Sequence, residues 1–95
     1  MTVDEFLASV KTDAPPEMVS PSLVALWYDA KGDWERAHGM VDSLESNEGM
    51  AVHAYLHRKQ GDNTNANYWY ARVGRKHYRP VLNDEWHALV RALLD

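Results

Sequence analysis

The amino-acid sequence predicts an all-α fold of about six helices, and three observations support that prediction. Apolar residues recur three and four positions apart through most of the chain, as they do on one face of a helix. No segment alternates apolar and polar residues for long enough to predict a strand. Gly-Asp pairs at 32–33 and 61–62 join a residue that closes one helix to a residue that caps the next.

The composition is that of one small globular domain, since the chain has 95 residues, of which 45% are hydrophobic and none is cysteine. Without cysteine, disulfide bonds, thiol catalysis and thiolate metal sites are excluded. The acidic Asp4 and Glu5 stand near the start, where a secretory signal carries basic residues, and no run approaches the ~20 apolar residues of a membrane span. We therefore expect a cytoplasmic protein without membrane contact.

The N-terminal part, 1–19, is predicted to hold one helix and a linker. Thr2 and Glu5 have the spacing of a capping box, in which each side chain accepts a hydrogen bond from the backbone N–H of the other residue. The helix is expected to reach about Lys11. Two prolines follow at 15 and 16, and because the residue before a proline disfavours helical geometry, the helix ends before them.

The next part, 20–45, is predicted to be a helical hairpin. Ser20 has the character of an N-cap, and Pro21 suits the first position of the helix that follows. Gly32 closes this helix and Asp33 caps the return helix.

A second hairpin is predicted at 48–74, after a break over Ser46–Gly49. Its first helix starts at about Glu48 and closes at Gly61, and Asp62 caps its second helix.

The C-terminal part, 83–95, is predicted to be one further helix with Asn83 as its N-cap. Asp84 and Glu85 fall in its first turn, where negative charge favours the helix dipole. Capping therefore explains these paired carboxylates without catalysis.

The two hairpins repeat at a spacing of 29 residues. With that shift the Gly-Asp pairs coincide, and so do Ala25 with Ala54 and Ala37 with Ala66. Small residues at these positions allow the two helices of a hairpin to cross closely. Each hairpin leaves an apolar side uncovered, so stacking two of them completes a core.

The stretches that carry this pattern, 25–37 and 54–66, resemble the tetratricopeptide repeat, and the resemblance covers about residues 20–74. The small-residue positions of the family fall on the four alanines, and its aromatic residue after the turn falls on Trp34 but on Asn63 in the second copy. The spacing of 29 residues is shorter than the 34 of the family. The resemblance implies two stacked αα-hairpins with flanking capping helices, and a groove along the first helices that holds a peptide or a partner segment.

Residues 52–62 and 67–72 also resemble a group of small, mainly bacterial proteins, and that resemblance implies no activity. From the repeat we expect a protein- or peptide-binding scaffold module with no catalytic residues and no cofactor. A basic, aromatic groove suits an acidic partner or a carboxylate terminus. The predicted partner-binding residues are all basic or aromatic: Tyr55, Arg58, Lys59, Tyr68, Arg72 and Arg75.

The uneven distribution of charge supports an alternative, a homo-oligomeric structural protein such as a homodimer. Residues 1–50 carry a net charge of −7 and residues 51–95 a net charge of +3, within a total of −4. The two halves could pair between copies of the chain.

Two histidines suggest metal chemistry. His53 and His57 lie at i and i+4, so they share one helix face and could chelate a metal ion. A metal site needs further ligands, however, and His38 and His77 fall on other elements. The glutamate of the zinc-protease motif is also missing, since residue 54 is alanine. The favoured interpretation is therefore that the pair packs in a semi-buried position, with metal binding and enzymatic activity as the weaker alternatives.

Aromatic and basic residues interleave from Tyr68 to Arg79, a pattern typical of nucleic-acid surfaces. The alternative interpretation is that packing explains the segment, with some of its residues in the core and others at the surface. Trp69 and Tyr70 face the core, while Tyr68 and Arg72 form an exposed ring–cation pair. Because the acidic N-terminal half would repel phosphate, we favour packing over nucleic-acid binding.

Overall fold

A computed structural model describes residues 1–74 and 80–94 of the chain. Within these residues the protein has six α-helices and no strand, which confirms the predicted all-α fold. In chain order the helices are α1 (Val3–Ser9), α2 (Pro21–Ala30), α3 (Trp34–Val41), α4 (Asn47–Gln60), α5 (Asn63–Arg72) and α6 (Leu82–Leu94). None of these six is both long enough and apolar enough to pass through a membrane.

The two Gly-Asp turns have the conformation that the sequence predicts. Gly32 and Gly61 lie in the left-handed region at φ values of 87° and 92°, where any other side chain would be strained. The aspartate after each glycine accepts a hydrogen bond from the backbone N–H three residues further on, at 3.2 Å for Asp33 and 3.1 Å for Asp62. Each turn thus ends one helix and starts the next within two residues, from α2 to α3 and from α4 to α5.

The predicted N-caps of α1 and α2 are confirmed. The Thr2 backbone N–H donates to Glu5 Oε1 at 2.8 Å, and the Glu5 N–H donates to Thr2 Oγ1 at 3.1 Å. The hydrogen bond from the Thr2 backbone N–H is the main cause that lowers the pKa of Glu5, and the Thr2 side chain contributes in the same direction. The Ser20 hydroxyl caps α2 by accepting from the Leu23 N–H at 3.3 Å.

The break predicted over Ser46–Gly49 is shorter in the structure, because α4 starts at Asn47. The Ser46 hydroxyl accepts from the Gly49 N–H at 3.1 Å, so Ser46 is the N-cap and Gly49 is already helical. A Cβ atom on Gly49 would lie 2.6 Å from the Cβ of Leu44. Glycine is therefore required there by the close approach of the preceding loop rather than by a turn.

The predicted N-cap of the last helix is wrong. Helix α6 starts at Leu82, so Asn83 lies inside the helix. The first backbone hydrogen bond runs from the Glu85 N–H to the Val81 carbonyl at 3.0 Å, which puts Val81 at the capping position.

The repeat places its alanines where helices meet. All four, Ala25, Ala37, Ala54 and Ala66, are at most 1% exposed. Helix α2 packs on α3 and α4 packs on α5, which makes two hairpins. Helix α3 also contacts α4, so the hairpins stack.

The main core lies between the hairpins and α6, which contacts both α2 and α4. Trp86 of α6 is buried and donates its indole N–H to the Leu26 carbonyl of α2 at 3.0 Å. Helix α1 contacts α6 through Phe6, whose ring centroid lies 6.1 Å from that of Trp86. The C-terminal helix therefore covers the side that α2 and α4 share, where the sequence resemblance implies a partner groove.

Candidate functional site

Asp29 is a carboxylate buried between the hairpins. It is 3% exposed and accepts the Tyr55 hydroxyl and the Lys59 ammonium, each at 2.8 Å. Burial, together with the charge of Asp29, raises the pKa of Tyr55, so the phenol stays protonated as a donor. The carboxylate of α2 is thus bound by two side chains of α4.

Glu85 of α6 is a second buried carboxylate with the same kind of partners. It is 3% exposed and accepts the Tyr70 hydroxyl at 2.5 Å and the Arg58 guanidinium at 2.7 Å. The prediction that Glu85 serves as a first-turn charge favouring the helix dipole is therefore incomplete. Its charge is compensated by Arg58, and this ion pair connects α6 to α4.

Three predicted partner-binding residues thus contact the chain's own carboxylates. Tyr55 is only 2% exposed, and Arg58 and Lys59 are engaged by Glu85 and Asp29. Tyr55 and Lys59 also line a cleft of ≈ 380 Å³ beside α6.

The predicted residues on α5 lie at the surface. Tyr68 is 56% exposed, and its ring packs edge-on against Trp69 with centroids 5.0 Å apart. The Arg72 guanidinium lies 5.8 Å from the Tyr68 ring and 5.1 Å from the Trp69 ring, which confirms the predicted ring–cation pair. We call Tyr68, Trp69 and Arg72 the α5 patch. Arg75 and the rest of the aromatic and basic segment as far as Arg79, with His77 in it, lie outside the described residues.

Three histidines converge between α3 and α4. One ring nitrogen from each of His38, His53 and His57 lies within 4.8 Å of the other two. The closest approach is 3.1 Å, between His38 Nε2 and His53 Nε2. His53 and His57 are 4% and 6% exposed, and His38 is half-buried. We call these three residues the histidine cluster.

Two tryptophans enclose the histidine cluster. The Trp34 ring stacks on His38 at 4.8 Å with an interplanar angle of 9°, and Trp69 stacks on His53 at 4.2 Å and 23°. Each indole is held by its N–H, which donates to the Leu56 carbonyl at 2.8 Å for Trp34 and to an Asn65 side-chain oxygen at 3.1 Å for Trp69. The rings of the cluster are therefore positioned by packing as well as by one another.

The electrostatics of the cluster favour the neutral imidazoles of His38 and His53. Burial lowers the pKa of His53 to about 4, and the neighbouring His38 and His57 contribute in the same direction. Burial and His57 also lower the pKa of His38. The charge of Asp42 acts in the opposite direction, because it raises the pKa of His38 and of His53. None of the described residues offers a hydrogen-bond partner to the buried His53 Nδ1, which is rare for a polar atom in a native core.

Sequence reasoning found two members of the cluster and missed the third. His53 and His57 share one face of α4, as their spacing predicts, and both are buried. The sequence predicts His38 on another element, apart from the pair, yet the contact between α3 and α4 brings it to them. One feature of the sequence indicates that His38 lies near the helix interface. It directly follows Ala37, a position at which the two helices cross closely.

Comparisons of the chain with protein-family models, with curated protein sequences and with solved structures gave no match.

Proposed function

We propose that the protein is a non-enzymatic, cytoplasmic scaffold module that binds an acidic segment of a partner protein through the α5 patch. The observation that carries this proposal is the exposed Tyr68 ring with Arg72 lying over it and over Trp69. The proposal retains the partner class expected from the sequence and places the contact on the second helix of the second hairpin.

The chemistry of the α5 patch is that of a binding hot spot. Tyrosine, tryptophan and arginine are enriched where protein interfaces are strongest, because they bury large areas and donate directed hydrogen bonds. A partner carboxylate could accept from Arg72 while its neighbouring apolar atoms cover Tyr68.

Charge supports an acidic occupant. Among residues 1–74 and 80–94, no carboxylate lies within ion-pair distance of Arg72. The C-terminal half that carries the patch has a net charge of +3, so it would attract an acidic segment.

The groove along α2 and α4 is less suited to a partner. Helix α6 occupies that side, and the ion pair of Glu85 with Arg58 fixes it there. A partner in that groove would have to displace α6 and break the ion pair of Glu85 with Arg58.

An array of immobilised acidic and basic peptides tests the proposal. The purified chain should bind acidic peptides with an affinity that falls as salt rises. Arg72→Ala should weaken this binding about tenfold, which corresponds to an interface side chain worth about 1.4 kcal/mol. The matched control is Arg36→Ala, because Arg36 is also exposed and lies 5.0 Å from the ring of Tyr28 on another face.

Equal binding by the wild-type and Arg72→Ala chains, or an equal loss in Arg36→Ala, would overturn the proposal. Light scattering at two salt concentrations adds a second criterion. A dimer that Arg72→Ala dissociates would assign the α5 patch to a second copy of the chain instead.

A further inference from the structure

We infer that His38, His53 and His57 form a binding site for a divalent ion of a late first-row transition metal, with zinc as the probe. The inference goes beyond partner binding and does not depend on it, since the proposed ligands are not residues of the α5 patch.

The spacing of the nitrogens fits such an ion. With Zn–N distances of about 2.0–2.1 Å, two ligands of a tetrahedral site lie about 3.4 Å apart. His38 Nε2 and His53 Nε2 lie 3.1 Å apart, so these two nitrogens are already close to the separation of two ligands in a tetrahedral site. The third nitrogen, within 4.8 Å of the others, has to approach by at most about 1.4 Å, which a ring rotation can supply.

The donor set defines the class of metal. Imidazole nitrogens suit zinc, copper and nickel, whereas magnesium and calcium prefer oxygen ligands. Three protein ligands leave a fourth position for water or for an added group, as in zinc sites with three histidines. Asp42 supplies negative charge near the cluster, because its field acts on both His38 and His53.

Contacts outside the histidine cluster orient its rings. His57 Nδ1 lies 3.4 Å from Gln60 Oε1, the kind of outer contact that orients a ligating imidazole. Stacking on Trp34 and Trp69 fixes the planes of the other two rings.

The test is a calorimetric titration of the tag-free, chelator-treated chain with zinc at neutral pH. We expect one zinc ion per chain, and an affinity weakened at least about tenfold in His38→Gln. His38 is the best position to change because it is half-buried, so its loss disturbs the core least. His87→Gln is the matched control, since His87 lies on α6 and contacts the Asn83 carbonyl of its own helix. This variant should bind zinc like the wild type.

Cobalt provides a second measurement, because visible absorption of a tetrahedral cobalt complex should develop in the wild type and be absent in His38→Gln. Absence of heat together with an unchanged melting temperature at millimolar zinc would refute the site, as would equal zinc affinities in the wild type and His38→Gln. If His38→Gln loses its helical circular dichroism and is therefore unfolded, NMR of the wild type tests zinc binding instead. Zinc should shift the imidazole signals of the cluster, and shifts confined to other histidines would refute it.

Discussion

His38 Nε2 of α3 and His53 Nε2 of α4 lie 3.1 Å apart, close enough to share a single hydrogen bond. One nitrogen has to donate and the other has to accept, so the contact requires at least one neutral ring. A proton added to the accepting nitrogen would place two N–H groups against each other inside the protein. The folded state is therefore sensitive to acid at this point.

Acidification should lower the free energy of unfolding of the chelator-treated protein. The pKa of His53 is about 4 in the folded chain, against 6.5 in the unfolded chain. Between these values the unfolded chain binds a proton that the folded chain does not, so stability is lost as the pH falls through 6.5 towards 4. The loss should reach about 3 kcal/mol at the acid end, measured by urea denaturation over a pH series.

A pair of variants isolates the contribution of His53. His53→Gln removes the titrating ring, so its stability should depend less steeply on pH in the same range. His87→Gln should keep the wild-type dependence, because it lies outside the cluster on α6. A wild-type slope in His53→Gln would show that other groups cause the acid sensitivity.

Removing the buried charge of α6 should destabilise the fold. Glu85→Gln leaves Arg58 facing a neutral amide, although that guanidinium is partly hydrated because its side chain is 19% exposed. We expect a loss of about 2–3 kcal/mol in the free energy of unfolding from urea titrations. Asp84→Asn is the matched control on the exposed side of the same turn and should change stability by less than about 0.5 kcal/mol. Similar effects of the two changes would argue against a structural role for the Glu85–Arg58 pair.

Glu85 also shows what the sequence could and could not predict. The caps and turns could be predicted because their hydrogen bonds join residues three to five apart, as in Thr2 with Glu5 or Asp33 with Arg36. Glu85 and Arg58 are 27 positions apart, and their contact depends on where α6 packs. The helical repeat puts Glu85 beside the apolar face of α6, three residues after Leu82 and four before Leu89, but it does not identify Arg58 as the partner.

In the histidine cluster too, the local arrangement can be predicted from the sequence and the tertiary contact cannot. The shared face of His53 and His57 is set by the helical repeat within α4, so spacing alone predicts it. The approach of His38 depends on how α3 packs on α4, a tertiary contact that periodicity does not encode. The repeat predicted two hairpins and their closely packed alanines, but not which polar side chains would meet at the interface between them.

The Tyr55 hydroxyl should contribute to stability through Asp29. In Tyr55→Phe, the buried carboxylate keeps Lys59 but loses its second donor, which lies at 2.8 Å. We expect the free energy of unfolding to fall by about 1–2 kcal/mol, since an unsatisfied buried group is left behind. Tyr68→Phe removes the same atom from an exposed ring and should have almost no effect on thermal or urea unfolding. Equal stability of the two variants would contradict the role given to the Tyr55–Asp29 bond.

Two glycines inside helices should respond in opposite ways to alanine. In Gly49→Ala the new Cβ would meet the Leu44 Cβ at 2.6 Å, so the loop before α4 has to move. We expect a loss of about 1–3 kcal/mol in the free energy of unfolding, typical of overpacking. At Gly39 in α3 the new Cβ would meet no atom of the described residues within 4 Å, apart from its chain neighbours and the backbone of its own helix, so Gly39→Ala should instead stabilise the helix by about 0.5–1 kcal/mol. Urea titrations of both variants measure the difference, and a stabilising Gly49→Ala would show that the contact with Leu44 does not constrain the start of α4.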